Sequence, residues 1–539
     1  MTPLGRAAVL FLALLSLPLH AAPVAGGVVN AASSILPGRP NGNLTPGGMF
    51  SLFGSEMGPA QLVEVDAFPL PTQLAGTSIA VTVGGVTVDC ILVFTSAGQA
   101  AGILPSSTPL GAGSMTVSYQ GQTSPPLAIT VAAGNFGIFA LNQQGFGPGV
   151  FSDPLSNPLR VNGYFESARP GEAWDIWGTG LGPISGDEAA GPAPGDLTHL
   201  DVRVLVAGRE AQVLYRGRSG CCAGVDQIRF LAPVGVSSCS ASVVVVVDGV
   251  PSNFVTMALN PAGGTCSDPG RSSAQNLQLF RAQGYLSQGQ VLLGRVWTTT
   301  QAADGSATTE RSDSATASFV EFNYGDLLNL PPEFAPAGSC LVTPMPAAVP
   351  ATRGLEAGRV SVAGPPGMFD MTRNGPGFYT HAFEPPAGPL PAGAYSFAGP
   401  GGEHIGPFEA AGSLPEPIEL LNPEDLRTID REAGLQLRWS GGSTAGASFV
   451  QISGSSPFSI GPNGPVGARF VCWADAAAGA FDLPAEVLRS LPASVDDAGA
   501  PAGSITFGQT VYLGEFNAQG VDVGQFVFSD LFTANTRFR

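Results

Sequence analysis

Short apolar runs, punctuated by glycine and proline, fill this chain from end to end. Stretches such as Ile79-Ala80-Val81-Thr82-Val83 and Val202-Arg203-Val204-Leu205-Val206 alternate with a period of two, and each runs into a glycine turn. That period puts successive side chains on opposite faces of a strand. The runs recur about every 8–12 residues, the rhythm of an all-β sandwich protein. One helix is predicted, over residues 483–491, where Pro484 stands near the start and apolar residues fall at i, i+4. Beyond the N-terminal stretch, the apolar run Val243–Val247 fits a strand and is too short to span a bilayer.

Within this pattern one segment occurs twice. Pro46-Gly47-Gly48-Met49-Phe50-Ser51-Leu52-Phe53-Gly54 reappears as Pro170-Gly171-Glu172-Ala173-Trp174-Asp175-Ile176-Trp177-Gly178, and both copies run on to a Gly-Pro pair at Pro59 and Pro183. Phe50, Leu52, Trp174 and Ile176 alternate and should face a core, leaving Phe53 and Trp177 on the other side. The match continues through the strands at 79–86 and 202–209, then through 115–121 and 243–249. Between those two pairs the register shifts around residues 216–224, so the second copy carries a loop insertion that holds Cys221 and Cys222. Each copy is long enough for an immunoglobulin-like sandwich with one core between two sheets.

Composition narrows the class of protein. With 73 Gly and 48 Pro in 539 residues, low-complexity disorder would be the plain reading, but these residues punctuate regular strands instead. A chain of this length should hold about three to five domains. Its net charge of −18, with no lysine, repels phosphate backbones and argues against nucleic acid as a partner. Residues 1–21 read as a secretory signal peptide: Arg6, an apolar stretch from Ala7 to Leu17, then a small residue at Ala21. The expected mature protein is secreted or held at the cell surface, and at least periplasmic, with no membrane insertion after processing.

Seven cysteines in an exported chain make disulfides the expectation. Adjacent cysteines rarely bond each other, because the small ring strains the peptide between them. Cys221 and Cys222 are therefore each expected to pair with one of Cys239 and Cys266, in an order that spacing leaves open. Cys340 and Cys472 are either a further pair or two buried thiols. Cys90 reads as a buried small hydrophobe.

Several residues together carry a family resemblance: Val28-Val29-Asn30-Ala31-Ala32-Ser33, Pro46-Gly47, Phe53-Gly54, Leu70-Pro71-Thr72-Gln73-Leu74, Trp177-Gly178-Thr179-Gly180-Leu181-Gly182 and Val225-Asp226-Gln227-Ile228. Over residues 28–260 the chain resembles the Solibacter-type uncharacterised C-terminal domain of large exported acidobacterial proteins. Each copy is also similar to the IPT/TIG class of immunoglobulin-like domains. The resemblance implies a tandem immunoglobulin-like fold and supplies no catalytic residue. That block usually closes a protein, whereas here residues 261–539 follow and resemble no named family.

The second half stays β-rich and shows a weaker pairing. Ala317-Ser318-Phe319-Val320 recurs as Ala447-Ser448-Phe449-Val450, followed by Cys340 and Cys472 respectively. The expected organisation is thus a signal peptide at 1–21, sandwich modules at 22–148 and 149–266, and two more at 267–414 and 415–539. The last two would meet at Ser413-Leu414-Pro415-Glu416-Pro417.

Candidate chemistry is sparse. His199, His381 and His404 show no metal-ligand spacing, and the sequence has neither HExxH nor CxxC nor a Gly-x-Ser-x-Gly elbow. Gly178-Thr179-Gly180-Leu181-Gly182 reads as a β-turn, because no helix follows to make it a nucleotide loop. Glu321, Asp326 and Glu403 lie near aromatic strands, with surface solvation as their ordinary role. Asp187, Glu188, Asp196 and Asp201 flank a Gly/Pro-rich loop and are weak calcium candidates that lack the regular Asp-x-Asp-x-Asp spacing. No other cofactor is suggested. Trp177, Phe378 and Tyr379 are the candidate exposed aromatics for binding. The favoured function is an exported, non-catalytic binding, adhesion or structural protein whose partner is an extracellular protein or glycan. The alternative is a secreted glycoside hydrolase or esterase with its site in 267–539.

Overall fold

A computed structural model of the chain describes residues 21–346, 350–383, 390–444, 448–461 and 464–539. The signal-peptide reading therefore falls almost wholly outside the described residues. The chain is all-β and multi-domain, opening with two immunoglobulin-like sandwiches in tandem.

In the first sandwich one sheet runs in the order Val24–Asn30, Met49–Ser55, Gln99–Ile103, Ile91–Thr95, Val63–Glu64. The facing sheet centres on Gly111–Tyr119 and Thr77–Val83. Phe50, Leu52, Ile79, Val81, Met115 and Val117 fill the space between them. The second sandwich repeats this plan, with Ala173–Thr179 and Asp226–Leu231 facing Val202–Val206 and Ser238–Val247. Trp174 and Ile176 take the places of Phe50 and Leu52, and all four are essentially fully buried.

The Val243–Val247 run has a specific cause. Val243 and Val245 point into the second sandwich, whereas Val244 packs into a separate core built by residues beyond 340. A strand covered on both faces has no solvent side, so the polar-apolar alternation disappears.

Beyond residue 284 the structure departs from two separate modules. One eleven-stranded sheet runs through the whole region, drawing strands from both expected modules. Its main path is Cys340–Met345, Gly464–Asp475, Ser448–Gly461, Gly503–Glu515, Val523–Phe538, Tyr285–Gln301, Ala307–Asn323, Phe378–Phe383 and Thr372–Gly375. Val523–Phe538 pairs in parallel with Tyr285–Gln301, so two strands more than 200 residues apart lie side by side in the middle of this body. Only the covers are separate. A four-stranded sheet, Ser361–Gly364 with Gly367–Asp370, Gly393–Gly399 and Phe408–Leu414, packs on one part of the large sheet. A three-stranded sheet, Ile418–Leu420 with Leu435–Gly441 and Ala480–Leu483, packs on the other. The expected joint at 413–417 is the step between these covers, above an unbroken sheet. Arg295 holds that step: its guanidinium donates to the Leu390 and Pro415 carbonyls and faces Asp530.

The weaker sequence pairing marks neighbours in one sheet. Cys340 and Cys472 are registered partners on adjacent strands and form a disulfide with Cα atoms 4.0 Å apart. Cys239 bonds Cys266. Cys221 bonds its neighbour Cys222, which corrects the expected pairing. The physical reason is distance. The 218–226 loop lies toward the first sandwich, where a Cβ added to Gly224 would meet Ile103, while Cys239 lies beside Ser272 and Asp268. Cys90 is a free, buried thiol, and burial pushes its pKa up. The predicted helix is present as Ala485–Arg489. A second, Ala274–Gln283, is capped by Ser273 and ended by Gly284 in the left-handed conformation.

A candidate binding cleft between the second sandwich and the large sheet

Two joints connect the parts of this molecule. The first, between the tandem sandwiches, is closed by buried polar side chains. Asn30 Nδ2 donates to the carbonyls of Asn135 (3.0 Å) and Thr179 (3.1 Å). Asn135 Nδ2 donates back to the carbonyls of Asn41 (2.6 Å) and Asn43 (2.7 Å). Thr179 Oγ1 accepts from the Met49 amide and donates to the Gly224 carbonyl. The Gly-Thr-Gly-Leu-Gly turn therefore lines this joint. A side chain at Gly180, with φ of +104°, would strike the Asn135 carbonyl.

The inserted loop of the second copy belongs to the same joint. Arg218 and Asp226 flank it and form a buried ion pair. Arg218 also donates to the Gly182 carbonyl at 2.7 Å and lies so close to Gly47 that no side chain fits there. Burial pushes the Asp226 carboxyl up, while Arg218 and the Leu181 amide pull it back.

The second joint, between the second sandwich and the large sheet, is packed where Leu205, Val244 and Phe254 enter the C-terminal core and is open beside them. It encloses a cleft of about 510 Å³, within the range of about 300–1,000 Å³ usual for ligand pockets. Its floor is one face of the large sheet, on the strands at 464–475, 448–461 and 503–515. Registered pairs on that face are Gln451 with Trp473, Ser453 with Val471 and Thr506, and Ser455 with Arg469 and Ser504. Its roof is the second sandwich, through Phe146, Tyr164, Phe254 and Thr256, and a wall comes from Leu328–Pro332. Among the described residues no carboxylate, histidine or thiol lines it; Arg469 is its one charged group, with Nε donating to Thr343. The buried indole N–H of Trp473 has no hydrogen-bond partner.

Few bonds cross this joint beside the cleft. The Cys340 amide donates to Ser242 Oγ, Gln144 to Asn329, and Arg203 faces Glu486. At its hinge Asp268 accepts from the Cys239 amide (2.7 Å) and Ser238 Oγ (2.9 Å). Burial raises its pKa to about 6, against the pull of those two donors.

The residues singled out by sequence are scattered. Glu188 is buried in the first joint and accepts from the Ser106 amide and hydroxyl. Asp187 caps its own turn through the Ala189 amide, Asp196 lies on the exposed two-residue strand Gly195–Asp196, and the Asp201 amide donates to Asp248. No group of three or more His, Cys, Asp or Glu among the described residues could hold a metal ion. Trp177 is half-buried, with its indole donating to Ser152. Phe378 is 43% exposed, but Tyr379 is a core residue at 1% whose hydroxyl accepts from the Ala357 amide. Tyr379 is thus removed from the exposed set, because alternation along Phe378–Phe383 puts it on the covered face. Glu321 pairs with Arg353, His381 stacks on Phe369, and His404 Nδ1 accepts from the Glu356 amide. Asp326 lies in the turn Tyr324–Asn329. His199 and Glu403 are exposed.

Sequence reasoning missed the cleft because its floor and roof lie some 200 residues or more apart in the chain: Phe254 faces Gln451 and Thr506. The available signal was the run of alternate polar positions in Gln451, Ser453 and Ser455, which reads as a strand with one wet face.

No protein-family model matches the chain, and no curated protein does. Solved structures similar to it include FdeC, an Escherichia coli adhesin, at 12% identity over 70% of this chain and 94% of that one, with a TM-score of 0.15. Another is the surface-layer protein SbsC, domains 4–9, at 9% identity over 94% and 83%, with a TM-score of 0.16. A third is the Bacteroides ovatus protein SGBP-B, at 12% identity over 63% and 65%, with a TM-score of 0.19. Among the described residues no helix is long and apolar enough to cross a membrane.

Proposed function

We propose that this is an exported, non-catalytic binding protein of the cell surface or extracellular space, and that it holds its partner in the cleft of the second joint. The observation that carries the reading is the lining of that cleft: aromatic rings, hydroxyls and amides with Arg469 as the one charged group and, among the described residues, no carboxylate, histidine or thiol beside the hydroxyls to activate them. Three disulfides fit an oxidising compartment. The resemblance over residues 28–260 to modules of exported proteins points the same way. The tandem sandwiches, closed against each other by the first joint, then act as a spacer that presents the cleft.

The test is retention of extracellular material. Immobilised mature chain is exposed to cell-envelope polysaccharide and to secreted protein, once with Ca²⁺ and once with EDTA. Retention of one class, equal in both buffers, is the expected result. Retention of neither class overturns the reading, and so does turnover of glycoside or ester substrates, which would move the protein to the hydrolase alternative.

A further inference from the structure

We infer that the cleft takes neutral carbohydrate, and that a polysaccharide chain longer than the cleft continues across the open face of the large sheet. The inference rests on the binding reading above and names its ligand class.

The cleft floor does not stop at the cleft. Register carries the same face outward: Thr506 pairs with Thr533, Thr533 with Thr298, and Thr298 with Glu310. One step along the strands, Ser312 and Ser314 lie opposite Val296 and Gly294. Residues in register share a face, so this is one surface. Under the four-stranded cover its opposite side is dry, carrying Val291, Leu293, Ala315, Ala317 and Phe528 in the core. The outer side is solvated along its length: Thr298 and Ser312 are exposed, and Ser453, Thr506 and Thr533 are half-buried.

The chemistry of this surface selects its ligand. In a chain of net charge −18, the floor from Ser455 to Thr533 carries hydroxyls and an amide, with Arg469 at one side. An anionic polymer would need several cations, and a cationic one several carboxylates; neither set is present in the cleft. Hydroxyl side chains each donate and accept, as sugar hydroxyls do. They are pre-positioned by cross-strand pairs, Ser455 Oγ to Ser504 Oγ at 2.8 Å and Thr506 Oγ1 to Thr533 Oγ1 at 3.0 Å. Phe146 and Tyr164, the half-buried aromatics of the roof, give the cleft an apolar wall for the C–H face of a sugar ring. A strand surface repeats about every 4.8 Å across the sheet, which suits a repeating ligand better than a single compact one.

The experiment is calorimetric titration of the full mature chain with neutral gluco-, manno-, xylo- and galacto-oligosaccharides of increasing length, with polygalacturonate as the acidic comparison. One neutral series should bind, with affinity rising about tenfold or more from disaccharide to hexasaccharide. Gln451→Ala with Ser453→Ala should weaken every length about tenfold. Thr298→Ala with Ser312→Ala should remove only the gain with length, leaving the disaccharide unchanged. Near-ultraviolet circular dichroism checks that both variants keep their packing. Preference for polygalacturonate, affinity independent of length, or binding unmoved by either pair of substitutions overturns the inference. If the chain retains secreted protein but no oligosaccharide, the ligand class is wrong and the binding reading stands; if it retains nothing, both fall.

Discussion

The two joints of this molecule use polar groups in opposite ways. In the first, Asn30, Asn135, Thr179 and Glu188 are buried and bond backbone groups across the joint, while buried Arg218 ties Asp226 to the Gly182 carbonyl on the side of the second sandwich that faces Gly47. In the second, Gln451, Ser453, Ser504 and Thr506 are half-buried and face a cavity. A buried polar group left without a partner costs about 1–3 kcal/mol, so the first set is committed to holding two domains together. In the second set the Ser504 and Thr506 side chains bond only to neighbouring hydroxyls of the same floor, and none of the four ties the two bodies together. Polar content alone would not separate them; the partner of each group does.

The comparison can be broken at four places. The largest effect is expected from removing the Cys340–Cys472 bond, whose partners are separated by 132 residues. Cys340→Ala with Cys472→Ala should lower the stability of the C-terminal body by up to about 5 kcal/mol, read by chemical denaturation of the full chain. A loss confined to the first two sandwiches would contradict the placement of that bond. Next, Arg218→Met leaves Asp226 buried without its cation and should cost about 3–5 kcal/mol. Limited proteolysis should then cut between the sandwiches near residues 132–136; an unchanged cleavage pattern would mean the first joint does not depend on the pair.

Third in size is a pH effect at the hinge of the second joint. The Asp268 carboxyl titrates near 6 in the folded chain and near 3.9 when unfolded. Its contribution is therefore fully present below about pH 4 and is lost as pH rises through 6. Asp268→Asn keeps an acceptor for Cys239 and Ser238 but removes that dependence. Relative to this variant, the wild type should lose about 2 kcal/mol between pH 4 and pH 7, measured by denaturant midpoints. A constant difference across that range would refute the assignment. The smallest effect is on the cleft floor: Ser453→Ala or Thr506→Ala should change stability by less than about 0.5 kcal/mol. A larger loss would show that these hydroxyls are structural, like those of the first joint.

What could be read from the sequence follows the range of the forces involved. Phe50, Leu52, Trp174 and Ile176 were legible as core because strand alternation is local, and all four are buried. The all-β class was legible for the same reason. Cys340–Cys472 was legible as one of two readings and is bonded, but the pairing of the clustered cysteines was not: the peptide-strain argument against Cys221–Cys222 could not weigh where the loop lies, and the structure carries that loop toward Ile103. The helix Ala274–Gln283 escaped because its signals are its caps, Ser273 and Gly284, and its apolar stripe is narrow, with Leu277 and Phe280 the buried residues. The parallel pairing of Tyr285–Gln301 with Val523–Phe538 left no local mark, since a strand's pattern shows how many of its faces are covered and not by which partner. The cleft inherits that silence, being made where distant elements meet.

That parallel pairing also sets an order of events during synthesis. The two sandwiches have closed cores of their own and need nothing beyond residue 266 to fill them. The strand at 285–301, by contrast, waits with one edge open until the final sixteen-residue strand has emerged. Throughout that interval a long, half-apolar edge is available to the wrong neighbour. Losing even this one terminal strand would expose two edges at once, at 285–301 and at 503–515. The strand Val523–Phe538 is the latch of the large sheet.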